Sequence, residues 1–396
     1  MKKTWLLGCG FFSISLGWAL YNGFVPFFLN DYLASTAIIG FLMTIDNYFA
    51  LFLQPYIGNR SDRTTTRYGR RMPYLLIGIP IAALFFALIP FHNSLITLII
   101  FMICMNLSMA IFRSPTIALM PDITPESNRT KANGVINFMG GCGAILALSA
   151  GSILFSIEVF LPFIAVSVLF LVSLWIIFKN IKENRDAIPL ANTSAPKISY
   201  KNELTSQTVL LLTAIFFWFI AIQGMEALFT LYGVNELDLS KSSSAFSLAF
   251  FSLSFVLFAI PSGLLGAKYG KKNMIVTGIL GLVFIFLLLN WVESVVFLRS
   301  ILFVGGIFWA FININAYPFI VSTGSELSYG TRTGLYYLVS SLAAIISPPT
   351  LGLLVDFFGF GLLFIAAAGS MLLALICMLK VNKIETYSPS GHKLNG

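Results

Sequence analysis

The chain has 396 residues, of which 58% are apolar and only 10% charged, against roughly 25% charged in an ordinary soluble domain. A soluble chain of this length would form about two or three domains, each needing a charged skin that these residues do not supply. That excludes a soluble enzyme, a disordered chain and a secreted disulfide scaffold, and it makes the net charge of +8 a matter of membrane orientation rather than of nucleic-acid binding.

A helix needs about 20 mostly apolar residues to cross the hydrocarbon of a bilayer. Twelve such stretches follow one another, at 4–29, 37–57, 74–91, 95–120, 132–155, 160–178, 207–231, 242–266, 274–290, 295–322, 333–354 and 361–380. Strands of a membrane barrel are shorter and alternate with period two, so the fold class expected is an all-α integral membrane protein with twelve transmembrane helices. The first stretch follows Met1-Lys2-Lys3 as a signal peptide would, but it is too long for an h-region and has many successors. Cys9, Cys104, Cys142 and Cys377 lie inside apolar runs without CxxC spacing and read as small hydrophobes. His92 and His392 sit in a short loop and the tail, so no metal cluster is expected.

The basic residues orient these spans. With the N-terminus in the cytoplasm, every one of the 24 Lys and Arg residues falls on the inner side except Lys241, in an outer loop, and Arg113 and Arg299, within helices. The expectation is a multi-pass membrane protein with both termini cytoplasmic and very short outer loops, in a bacterial inner membrane. A polar stretch at 179–206, with Pro189 and Pro196, reads as a cytoplasmic linker. It separates a six-helix bundle at 1–178 from a second at 207–380, followed by a cytoplasmic tail at 381–396.

The two halves echo each other. Gly58-Asn59-Arg60-Ser61-Asp62-Arg63 and Tyr68-Gly69-Arg70-Arg71 in the first correspond to Gly266-Ala267-Lys268-Tyr269-Gly270-Lys271-Lys272 in the second. Pro125-Glu126, Arg129 and Gly134 correspond to Ser325-Glu326, Arg332 and Gly334. Two six-helix repeats imply a pseudo-two-fold axis along the membrane normal and a site between the halves near the midplane.

Gly58-x-x-x-Asp62-Arg63, completed by Gly69-Arg70-Arg71, resembles the signature loop of the major facilitator superfamily, with Thr64 to Tyr68 as extra residues inside it. That lengthened loop, with Phe112-Arg113-Ser114-Pro115, Leu119-Met120-Pro121-Asp122-Ile123-Thr124-Pro125-Glu126, Arg129 and Ala132-Asn133-Gly134, is similar to the glycoside–pentoside–hexuronide symporters and plant sucrose transporters. The resemblance to the superfamily covers the whole chain; the resemblance to this branch rests on about thirty residues. It implies that Gly58, Asp62, Arg63, Gly69, Arg70 and Arg71 form a gate that latches the halves on the cytoplasmic side in the outward-facing state. The plainer reading of the arginines is an orientation signal alone.

Ionisable groups at membrane depth cost about 2.5–3.5 kcal/mol unless paired or wetted. Asp46 lies about ten residues from either end of its span, roughly 15 Å deep, so it should line a cavity, pair with a cation or stay protonated. Asp46 and Glu226 are the expected coupling-ion residues; the alternative for Asp46 is a helix-locking ion pair. Arg113, with Asn106 seven residues before it on the same face, would bind substrate hydroxyls or pair with Asp46, or else snorkel to the interface. Arg299, near an outer end, reads as an interfacial anchor. Uncharged polar residues fall into stripes: Trp18, Tyr21 and Asn22; Asn47 and Gln54; Asn133 and Asn137; Gln223 between Phe219 and Glu226; Trp309, Asn313 and Tyr317; Tyr337 and Ser341. Amides and aromatics around a cavity suit a neutral polyhydroxylated ligand, while interhelical hydrogen bonding is the alternative for any one of them.

Gly140-Gly141-x-Gly143 reads as close helix packing, and the sequons at Asn128 and Asn192 are idle on a cytoplasmic side. No GxxxxGK[ST] loop and no Ser-His-Asp or Cys-His set is present. The expected protein is therefore not an enzyme and carries no cofactor. It is a monomeric secondary transporter working by alternating access, a symporter of a disaccharide or glycoside coupled to H+ or, as the alternative ion, Na+. Its partners are that sugar and the lipid bilayer, with no nucleic acid. The first rival is a proton-coupled exporter of amphipathic compounds on the same fold. A non-transporting membrane sensor or scaffold ranks below it, since the loops are short and only sixteen residues follow Lys380.

Overall fold

The computed structural model describes residues 2–124, 129–181, 183, 205–322 and 329–381. Most of the expected linker, almost all of the tail, Pro125, Glu126, Ser325, Glu326 and both sequons lie outside these residues. The first half contains α1 (Lys2–Asn30), α2 (Thr36–Met43), α3 (Ile45–Asp62), α4 (Met72–Leu88), α5 (Leu95–Ile123), α6 (Arg129–Ile157) and α7 (Leu161–Asn180). The second contains α8 (Ser206–Asn235), α9 (Lys241–Tyr269), α10 (Lys271–Leu288), α11 (Val295–Val321), α12 (Tyr329–Phe358) and α13 (Phe360–Lys380). Among the described residues these make twelve helical spans long and apolar enough to cross a membrane, α2 and α3 together forming the second.

Local chemistry starts and stops these helices. Ser94 caps α5 in a reciprocal capping box with Thr97, and Ser35, Thr205, Ser240 and Ser294 cap α2, α8, α9 and α11 by accepting from the backbone three residues on. Gly69 and Gly270, the glycines of the two Tyr-Gly-basic-basic repeats, both hold a positive φ, 108° and 92°. A side chain there would be strained, so the repeat keeps a positive-φ glycine just before the third span of each half.

Packing repeats as well. In the first half α1 packs on α6 and α7, α3 on α5, and α4 on α5 and α7; in the second α8 packs on α12 and α13, α9 on α11, and α10 on α11 and α13. These are the same pairings by span number. The signature glycines sit at corresponding crossings: a Cβ on Gly58 would lie 2.9 Å from Ser114 Oγ on α5, and one on Gly266 2.8 Å from Asn315 Cγ on α11. Gly140 and Gly141 likewise mark close packing, against Ser15 of α1 and Val256 of α9.

The expected second span is a single helix, but the structure breaks it at Thr44. The Thr44 N–H donates to Phe41 O at 3.0 Å instead of continuing the α-helical ladder, and its hydroxyl donates to the same carbonyl at 2.7 Å. Asp46 therefore stands in the first turn of α3. Contacts between the halves gather where α2 meets α12, α6 meets α9 and α1 meets α8. The hydrogen-bonded and ionic ones lie at the end opposite the arginine loop.

Candidate functional site

Between the halves lies a cavity of about 390 Å³. Ser15, Trp18 and Asn22 line it from α1, Asp46 and Asn47 from α3, and Arg113 from α5; Gln223 and Glu226 line it from α8. Met43 at the end of α2, with Ala344 and Pro348 of α12, contributes apolar wall. Spacing explains the convergence: on α1 the three polar residues recur at three and four, and on α8 the two recur at three, so each set lies on one helical face.

Asn47 Nδ2 donates to Asp46 Oδ1 at 3.1 Å. The Arg113 guanidinium lies 6.0 Å from the centre of the Trp18 ring, near the limit of a cation–π contact. Asp46 is within electrostatic reach of Arg113 and, more weakly, of Glu226, yet the Asp46 and Arg113 side chains form no ion pair within 4.0 Å among the described residues. The indole N–H of Trp18 is buried without a partner. The site thus offers two carboxylates, one guanidinium, three amides, a hydroxyl and an indole ring to a ligand between the halves.

Other expected ligand residues are not in the lining of this cavity. Tyr21 and Asn106 are not in the cavity wall: both are buried between α1 and α5, where Asn106 Nδ2 donates to the Tyr21 hydroxyl at 3.1 Å. Tyr21 is turned about 60° from Trp18 and about 100° from Asn22 around the helix, enough to aim it into the packing between helices. Asn106 shares Arg113's face but sits two turns along, where α5 is covered by α1. Trp309 is buried against Phe219, ring centroids 5.7 Å apart, and Asn313 is half-buried on α11 beyond the lining. Asn137 is exposed on α6, and of Asn133 only the backbone is described.

Tyr317 and Tyr337 form an exposed aromatic shelf with Tyr336, with Tyr336 centred 5.7 and 5.4 Å from them. Tyr336 also meets Phe219 at 6.1 Å. Sequence reasoning missed Tyr336 and Ser15, although Ser15 carries the signal of three-and-four spacing with Trp18 and Asn22. Arg299 stays within its own half, its guanidinium over Phe246 at 5.0 Å and donating to Ser243 Oγ at 3.1 Å.

The signature loop is a network inside the first half. Arg71, only 4% exposed, pairs with Asp62 and with Asp122 Oδ2 at 3.1 Å, and also donates to Ser61 and to Gly58 O. Arg70 pairs with Asp122 Oδ1 at 2.5 Å. Glu183, just past α7, accepts from the backbone N–H groups of Arg70, Arg71 and Met72 at 2.8–3.1 Å, filling the open donors at the start of α4. Arg63 is exposed and has no ion pair among the described residues. In this conformation the tetrad's ion pairs join Asp62, Arg70 and Arg71 to their own half. Asp122 and Glu183 are the partners that sequence reasoning did not assign.

Comparison with known proteins agrees with this architecture. A tetracycline resistance protein, class H, of Pasteurella multocida is 27% identical over 294 residues, covering 71% of each chain. A sucrose transport protein of Arabidopsis thaliana is 25% identical over 162 residues, 35% of this chain and 27% of that one. An uncharacterized symporter of Synechocystis is 32% identical over 155 residues, 36% of this chain and 28% of that one. In fold, the nucleoside transporter NupG superposes with a TM-score of 0.79 at 15% identity, covering 96% of this chain and all of the other. A bacterial homolog of the human lysosomal transporter Spinster, in an inward-facing and occupied conformation, superposes with 0.78 at 14% identity, covering 97% and 98%. The Major Facilitator Superfamily model matches residues 7–322 and 235–394, and with twelve spans in two repeating halves around a central cavity, the chain belongs to this superfamily of membrane transporters.

Proposed function

We propose that the protein is a proton-coupled symporter of a neutral, polyhydroxylated solute, a disaccharide or glycoside, working by alternating access. The observation that carries this reading is the cavity lining: Asn22, Asn47 and Gln223 face one space with Asp46, Glu226, Arg113 and Trp18. Amides exchange hydrogen bonds with hydroxyls in both directions, and a flat indole suits the apolar face of a sugar ring. The partial match to a sucrose transport protein supports this solute class, and the partial match to an uncharacterized symporter supports symport.

In this reading the arginine end faces the cytoplasm, so the conformation is closed outward and open inward. A proton enters from outside onto Asp46, or onto Glu226, and neutralises the cavity for the solute. After the halves rock, the proton leaves toward the cytoplasm and Arg113 compensates the restored carboxylate. Neutralisation before crossing fits the cost of a bare charge at membrane depth. The protein works as a monomer, since one chain holds the whole cavity.

A second reading, proton-coupled export of amphipathic compounds, is favoured by the tetracycline resistance relative, whose match runs over 71% of the chain, and by the shelf of Tyr317, Tyr336 and Tyr337. Uptake of radiolabelled sucrose or maltose into proteoliposomes, with an inward proton gradient imposed or collapsed, separates the two. Gradient-driven accumulation that Asp46→Asn abolishes is the expected result. Accumulation unchanged in Asp46→Asn transfers the coupling role to Glu226. No sugar movement under a proton or sodium gradient, together with binding of an amphipathic dye, replaces symport by export.

A further inference from the structure

At the end of the bundle away from the arginine loop, a carboxylate of the second half bonds the backbone of the first. Asp356, near the end of α12, reaches from the second half to the start of α2 in the first. Its Oδ2 accepts from the Ser35 hydroxyl at 2.6 Å and from Ala37 N at 3.1 Å, and its Oδ1 accepts from Thr36 N at 2.6 Å. First-turn N–H groups have no partner within their own helix. Thr36 and Ala37 are both buried, 8% and 9% exposed, and the carboxylate from the other half serves them. A carboxylate is suited to this place because it brings two acceptor oxygens and a negative charge to the positive end of a helix.

The backbones meet directly behind this contact. A Cβ on Gly352 of α12 would lie 2.6 Å from Thr36 O and 2.7 Å from Ala37 Cα, and one on Gly40 of α2 would lie 2.6 Å from the carbonyl carbon of Pro348. Met43 and Pro348, from the same two helices, line the cavity, so this junction is its roof. Among the described residues the ion pair between the halves, Lys241 with Asp31 at 3.1 Å, is exposed on both sides and of a kind that contributes little. The break at Thr44 separates α2 from α3, with Asp46 two residues beyond it.

We propose that Asp356 is the clasp of the gate opposite the arginine loop, that α2 is the strap it fastens, hinged at Thr44, and that the clasp opens in every transport cycle. The inference rests on the alternating-access reading and adds the device that closes one of its two states. Release exposes the α2 amides to water, which replaces the carboxylate as acceptor, so opening leaves no buried donor unpaired.

Spin-label distances test it, on the full chain with Cys9, Cys104, Cys142 and Cys377 changed to serine and reconstituted in lipid. One pair, Ile157→Cys with Val296→Cys, spans the halves at the clasp end; another, Thr65→Cys with Tyr269→Cys, spans them at the arginine end. Asp356→Ala should shift the first pair toward long distances and the second toward short ones, raising the open-to-closed ratio at the clasp end about tenfold. Ser35→Ala, which removes one of the three bonds, should give about a threefold shift, and Asp31→Ala less than about twofold. Joining Ser35→Cys to Asp356→Cys with a short cross-linker should stop transport, and cleaving the linker should restore it. Unchanged distances in both Asp356→Ala and Ser35→Ala, while wild type converts between its two states, would overturn the clasp and leave alternating access standing. A wild type that never changes either distance, with a proton gradient or without, would overturn both.

Discussion

Gly266→Ala measures how closely the second half is packed. The new Cβ would stand 2.8 Å from Asn315 Cγ and 3.2 Å from its Nδ2, and closer still to Oδ1. Asn315 has little freedom to withdraw. It is 3% exposed, and its amide donates to Ser262 Oγ at 3.1 Å, to Ser262 O at 3.4 Å and to Phe311 O at 3.0 Å. Displacing it breaks two bonds to α9, about 1 kcal/mol each, and overpacking adds about 1–3 kcal/mol. The gain from replacing glycine by alanine inside a helix, about 1 kcal/mol, offsets part of this. The net loss should be about 2–4 kcal/mol. Gly58→Ala at the corresponding crossing meets only the Ser114 hydroxyl, at 2.9 Å, which can rotate away, so it should cost under about 1 kcal/mol. Denaturant titration in detergent, followed by size-exclusion chromatography of the folded fraction, compares the two. Asn315→Ala placed in the Gly266→Ala background should recover most of the loss, with a coupling of at least about 2 kcal/mol in the double-mutant cycle. A Gly266→Ala protein as stable as wild type, or one that Asn315→Ala does not rescue, would refute the steric reasoning.

Three further outcomes follow from the site. Arg71→Ala removes the buried guanidinium shared by Asp62, Asp122, Ser61 and Gly58 O, but Asp62 is half-exposed and Asp122 keeps Arg70, so it should destabilise by about 1–3 kcal/mol; Arg63→Ala, at an exposed side chain, should stay within about 0.5 kcal/mol. Thermal unfolding of the pair would expose an error in the network if the two variants behaved alike. Glu183→Ala strips the acceptor from the start of α4 and should cost about 1–2 kcal/mol. Amide hydrogen exchange should then quicken at Arg70, Arg71 and Met72 and not at the middle of α4; unaltered protection at those three amides would contradict the assignment. Tyr21→Phe should lower stability by about 1 kcal/mol, by taking the acceptor from Asn106, and leave solute affinity untouched. Asn22→Ala, in the cavity wall, should weaken solute binding with little effect on stability, as read by titration calorimetry. The opposite pattern would put Tyr21 in the site.

The twelve spans are readable from the chain because the bilayer imposes a one-dimensional requirement, about 20 apolar residues per crossing, that needs no knowledge of neighbours. The repeat is readable for a similar reason. Tyr68-Gly69 and Tyr269-Gly270 reuse one positive-φ glycine ahead of a helix, and Gly58 and Gly266 reuse one helix crossing, so the residues recur because the backbone does. Asp46, Glu226 and Arg113 stand out because charge at membrane depth is costly wherever it is placed. Side-chain direction is less legible. Spacing joins Ser15, Trp18 and Asn22, yet it does not separate a polar residue facing the cavity from Tyr21 and Asn106, which are hydrogen-bonded to each other between packed helices.

What tertiary structure alone decided are the pairings between distant segments. Arg70 and Arg71 needed partners of opposite charge, but only the fold brings Asp122 and Glu183 to them, one from the end of α5 and the other from beyond α7. The break at Thr44 comes at the end of the helix that packs on α12, and no proline or glycine at that position announces it. The contact of Asp356 with Ser35, Thr36 and Ala37 joins residues about 320 positions apart. Local sequence determines what can cross a membrane and where a turn must be. Where the halves touch, and at which end, is settled by docking two six-helix units, which joins residues too far apart in the chain for any local period to link.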